Sequence, residues 1–124
     1  MFKNTQSVEA VVAQTITATG ASAAFDNLCG DNGRMAVVEM IIAGPVTGTT
    51  PSMTVSVQGS IDGTNWDTIA SYTAQTAATG AGVALRLALT SVLEPQLRVS
   101  WTVSGTTPSF GAVSVWVLFS DDEA

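Results

Sequence analysis

Residues 97–103 read Leu97-Arg98-Val99-Ser100-Trp101-Thr102-Val103, an unbroken alternation of apolar and polar side chains. Successive side chains of a β-strand point to opposite faces. A strand here puts Leu97, Val99, Trp101 and Val103 on a core side and Arg98, Ser100 and Thr102 outside. A helix would scatter the same residues around its circumference.

The segments around it follow the same rule. Residues 112–119 set Val113, Val115, Val117 and Phe119 against Trp116 and Leu118. Residues 83–89 set Val83, Leu85, Leu87 and Leu89 against Ala84, Arg86 and Ala88, and a turn at Pro95 leads on. Residues 53–59 set Met53, Val55 and Val57 against Thr54, Ser56 and Gln58. Residues 67–73 form a returning strand that packs through Ile69 and Tyr72. Residues 34–43 are almost continuously apolar, as in a strand buried on both faces; Glu39 interrupts the run and should reach an edge or a partner. Residues 9–19 form a first strand, neither face of which is cleanly apolar.

The intervening stretches read as breaks. Gly44, Pro45, Gly48 and Pro51 should keep residues 44–52 out of the sheet as a loop. Gly105-Thr106-Thr107-Pro108-Ser109 reads as a turn, and so does Gly30-Asp31-Asn32-Gly33. Residues 23–27 read as a short turn or helical piece, and residues 74–82 as a loop or extended arm. No internal repeat stands out. The sum is an all-β fold: a single-domain antiparallel β-sandwich or jelly-roll-like barrel over residues 1–124. An N-terminal arm (1–8) and an acidic C-terminal tail (120–124) flank it.

Composition narrows the function. The chain has 124 residues, 46% of them hydrophobic and only 11% charged, against about 25% charged in ordinary domains. Thr, Ser, Gly and Ala fill the gap, so the outer faces are weakly polar rather than ionic. The net charge is −6, which leaves no basic footprint for nucleic acid and disfavours an anionic membrane surface. The N-terminus lacks the apolar core of a signal peptide, so synthesis in the cytoplasm is expected. Cys29 is the single cysteine and reads as a buried or idle thiol.

No catalytic, cofactor or metal site is read from the residues. There is no histidine for acid–base work, for zinc or for a Ser–His pair. No glycine-rich loop leads into a Lys-Ser or Lys-Thr helix to cradle phosphate. A carboxylate pair such as Asp62 and Asp67 would be the residual glycosidase option. Asp31, Asp62 and the tail acids do not match a calcium loop.

The segment with most character is Ser60-Ile61-Asp62-Gly63-Thr64-Asn65-Trp66, between two strands. It reads as a hairpin: Asp62 bonds the turn backbone, Gly63 takes positive φ, and Trp66 packs across the base as its anchor. The element resembles the strand–Ser-x-Asp-Gly-x-x-Trp–strand unit of β-sandwich proteins in tailed-phage virions, and is similar to one in discoidin-type binding domains. The wider profile resembles small bacteriophage capsid decoration (cement) proteins, being short, β-rich, poor in Lys and His, and dense in Ala, Thr, Gly and Val. The resemblance implies a non-enzymatic virion protein on the capsid surface. It would bind the major capsid protein, generally as a homotrimer, and brace the shell against DNA pressure. Trp116 and Leu118, outward on the last strand, are the expected subunit interface. The alternatives are a phage tail or head–tail component and a small carbohydrate-binding module, with Trp66 and Tyr72 as its aromatic pair.

Overall fold

The computed structural model describes residues 3–28, 35–77, 82–89 and 94–122. Among these residues its strands are β1 (Lys3–Ile16), β2 (Gly20–Ala21), β3 (Phe25–Asp26), β4 (Met35–Ile42), β5 (Val46–Ser60), β6 (Asp67–Ser71), β7 (Gln75–Thr76), β8 (Val83–Leu89) and β9 (Gln96–Asp122). All pairings are antiparallel. Cys29, Asp31, the turn at 30–33 and the end of the tail lie outside the described residues.

One strand, β9, runs through both layers. β9 pairs with β5 along its first part and with β4 along its second. β4 and β5 thus follow one another along the same long partner, separated only by residues 43–45. On the other side of β9 lie β3 and β2, then β1. One layer runs β1, late β9, β4, β8; the other runs β2 and β3, early β9, β5, then β6 and β7. This order, with β9 passing from one layer into the other, is a jelly roll, one of the two architectures expected. The layers face each other: Phe25 meets Phe119 edge-on at 6.4 Å between ring centroids, and the Tyr72 hydroxyl donates to the Val38 carbonyl at 2.6 Å.

Several expected breaks are strand instead. Residues 46–52 belong to β5 and residues 105–109 to β9. Prolines are tolerated because the ladder bulges there: the β5–β9 register shifts between Thr47 and Thr49 and again between Thr49 and Ser52. Part of 23–27 is strand rather than helix, and 75–76 pair with β5. Residues 3–8, expected as an arm, pair with β9, as do 120–122 of the expected tail.

The two bulges expose a repeat that the sequence reading missed. Gly48-Thr49-Thr50-Pro51-Ser52 and Gly105-Thr106-Thr107-Pro108-Ser109 are the same five residues, and they pair antiparallel with Thr49 opposite Thr106. Their backbones match: φ is 113° at Gly48 and Gly105, and 47° at Thr50 and Thr107. Positive φ at a β-branched residue costs roughly 1–2 kcal/mol, so the same strained geometry is built twice. Around this local twofold the halves follow one plan: β1, β2–β3, β4–β5 in residues 3–60, and β6–β7, β8, β9 in residues 67–122.

The core is where the alternation placed it. Met53, Val55, Val57, Leu97 and Val99 from one layer meet Val38, Met40, Ile42, Val113, Val115, Val117 and Phe119 from the other, all buried. Each such side chain contributes about 1.5–3 kcal/mol of burial. Trp101 and Val103 pack against this core only half-buried.

Candidate interaction surface

The outer face of the β1–β9–β4–β8 layer is built by the residues alternating with the core. Register sets them in rows. Trp116 lies between Glu9 on β1 and Glu39 on β4, and Glu39 is followed by Arg86 on β8. Leu118 lies between Ser7 and Val37, and Val37 is followed by Ala88. Ser114 faces Ile41, which faces Ala84. Trp116 is 36% exposed, Leu118, Val37 and Ile41 are half-buried, and Ala84 and Ala88 are exposed. The result is an indole on an apolar ground with carboxylates beside it. Arg86 Nε stands 3.8 Å from Glu39 Oε2, a long and solvent-screened pair of little energetic weight. Glu39 thus lies on the outer face of an interior strand rather than at an edge of the sheet.

The other layer's outer face is polar. Ser56 and Ser71 hydroxyls bond at 2.8 Å, and Arg98 Nε donates to Gln58 Oε1 at 2.7 Å. Val55-Ser56-Val57-Gln58 starts three residues after Ser52, which closes the first repeat motif, and Val113-Ser114-Val115-Trp116 starts four residues after Ser109, which closes the second.

The hairpin between β5 and β6 forms as the sequence required. Asp62 Oδ1 accepts from the Thr64 and Asn65 amides, both at 2.8 Å, and from Ser60 Oγ at 3.0 Å. Asp62 Oδ2 accepts from Asn65 Nδ2 at 2.8 Å. Ser60 Oγ accepts from the Gly63 amide at 2.8 Å, and Gly63 has φ 78°. The Asn65 and Thr64 amides, then the two side-chain donors, hold the Asp62 carboxyl well below the usual range. Both its oxygens are thus committed to the turn, not to a reacting pair with Asp67. Trp66 is half-buried outside the core, with the Arg98 guanidinium 4.5 Å from its ring centroid. The indole is one side of a cation–π stack rather than a core residue.

Tyr72 is buried at 6% exposure, and its hydroxyl also reaches the Leu85 carbonyl at 3.4 Å. Burial, and then the negative charge of Glu39, push its ionisation well above the usual tyrosine range. Trp66 lies under Arg98 and Tyr72 is in the core, so these two rings form no sugar platform. An open groove of about 250 Å³ lies where residues 14–21 pass Trp101. The Trp101 indole is held there by donation to the Ala18 carbonyl at 3.0 Å.

No protein-family model matches the chain, and no curated protein does. Solved structures do match. One is a structure of infectious bursal disease virus, Gx strain, at 13% identity and TM-score 0.47, over 94% of this chain and 32% of that one. Another is dimeric latent PorU from Porphyromonas gingivalis, at 17% identity and TM-score 0.46, over 98% of this chain and 13% of that one. A third is the Clostridium thermocellum xylanase Xyn10B, in its CBM22-1–GH10 modules, at 15% identity and TM-score 0.46, over 93% of this chain and 29% of that one. This chain spans about a third or less of the length of each.

Proposed function

We propose that this protein is a non-enzymatic virion structural protein, a decoration protein that binds the outer surface of a tailed-phage capsid and stabilises it. The observation that carries the reading is the one-sided outer face: Trp116 with Leu118, Val37 and Ile41 on one layer, against a hydroxyl- and amide-rich face on the other. A layer with one apolar and one polar counterpart has a side to be covered and a side to face water. Glu9 and Glu39 beside the indole favour a surface that brings cations to the rim of the contact. Trp116 and Leu118 also serve self-association into a trimer, which multiplies weak contacts into firm attachment. The resemblance of the Ser60–Trp66 hairpin and of the composition to phage virion proteins supports the same class. The jelly roll is shared by viral capsid and lectin domains, so the fold alone is only an analogy.

The test is binding to emptied capsids of the virus whose genes neighbour this one. Co-sedimentation that is lost on Trp116→Glu, with the fold intact, supports the reading. A chain that stays in the supernatant at every concentration overturns it.

A further inference from the structure

Every strand pairing among the described residues joins one half of the chain to the other. β1, β2 and β3 pair with β9; β4 pairs with β8 and β9; β5 pairs with β6, β7 and β9. No pairing among the described residues lies within 3–60 or within 67–122. The backbone bonds outside the ladders obey the same division: Ser22 to Val99, Asn27 to Pro95, Gly44 to Gly111, Tyr72 to Val55. Residues 61–66 alone carry the chain from one half to the other, and they do so in the tight turn locked by Asp62.

We propose that two copies of this chain assemble by exchanging halves, so that residues 3–60 of one copy pair with residues 67–122 of the other, and that the Asp62-locked turn holds the balance towards the closed monomer. The physical basis is that exchange keeps every ladder bond and every core contact and gives up only the turn. A short turn keeps the two halves at a high effective concentration, which favours closure in dilute protein. Weakening the turn, or concentrating the chain during folding, moves the balance to the exchanged dimer. The local twofold supports it: two halves with the same strand plan wrap around each other as two subunits would. This inference does not rest on the capsid reading, and association through the Trp116 face leaves each half with its own partner.

Thr54 and Thr102 are register partners on β5 and β9, one from each half. In a Cys29→Ser background, Thr54→Cys and Thr102→Cys are made in separate full-length chains, unfolded together, refolded at high concentration and oxidised. A double variant in one chain verifies that the pair closes. Exchange predicts a disulfide-linked dimer in the mixed sample and none in either single variant alone. Deleting residues 62–65, which leaves too little chain to reverse, should raise its yield several-fold, and Asp62→Ala should raise it in the same direction. Asp62 is on an exposed turn, so Asp62→Ala keeps the test decisive if the deletion fails to fold. No linked dimer from folded Asp62→Ala chains, or equal linking in the single-variant samples, overturns the proposal. Neither result bears on capsid binding.

Discussion

Gly48 and Gly105 are reciprocal: each packs against the backbone of the other's Thr-Thr-Pro. A Cβ on Gly48 would stand 2.7 Å from the Thr107 carbonyl oxygen, and a Cβ on Gly105 would stand 2.7 Å from that of Thr50. Both contacts are to backbone, which cannot step aside, and both glycines have φ 113°. Gly48→Ala and Gly105→Ala should each cost about 2 kcal/mol or more. The costs should be alike, because the two sites are one geometry used twice. Urea unfolding midpoints of the two variants measure this; a near-neutral change at either site would refute the twin-bulge account.

Tyr72→Phe removes the bond to the Val38 carbonyl and should cost about 1–2 kcal/mol. The same hydroxyl gives an alkaline limit. Its folded pKa is raised, so its contribution is complete below the unfolded value near 10 and is lost as pH rises beyond it. Wild-type stability should fall above about pH 10, and Tyr72→Phe should flatten that fall, as read by denaturation at stepped pH.

Asp62 gives the opposite limit. Its folded pKa is lowered, so the contribution is present above the unfolded value near 3.9 and is lost as pH falls through the folded one. Asp62→Asn should reduce the acid-side loss of stability while leaving the alkaline side unchanged. Acid titrations of the two proteins that superimpose would count against the turn's role.

Trp66→Ala should cost about 1–2 kcal/mol, less than the roughly 3–5 kcal/mol of a fully buried aromatic, because the ring is half-buried beneath Arg98. Arg98→Ala should remove part of the same stability, and the double variant should lose less than the sum. Strict additivity in thermal or urea unfolding would show the stack to be idle.

The strands with one apolar face were legible in sequence. Met53, Val55 and Val57, and Val113, Val115 and Val117, go to the core as their spacing requires. What stayed hidden depends on pairing between distant residues. Pro51 and Pro108 signal an exit from the sheet, yet each sits in a bulge where the missing amide removes no ladder bond. The five-residue repeat was visible as letters, but its meaning lies in the antiparallel meeting of 48–52 with 105–109. β2 and β3 carry too few residues to show a period. At the candidate surface, the outward side of Trp116 and Leu118 was readable from alternation, whereas their neighbours Glu9, Val37, Glu39 and Ile41 were set by strand order. The contact of Arg98 with the Trp66 ring depends on β9 and was not legible from the hairpin's own residues.

The outer face around Trp116 is the centre of the account, and sedimentation velocity of the full chain at micromolar concentration tests it most directly. Wild type should sediment as an assembly, with three chains as the expected mass. Trp116→Glu adds a carboxylate directly between Glu9 and Glu39, so it should sediment as a folded monomer, with an unfolding midpoint lowered by the like-charge pairs. A wild-type chain that stays monomeric, or a Trp116→Glu variant that assembles as wild type does, would contradict it.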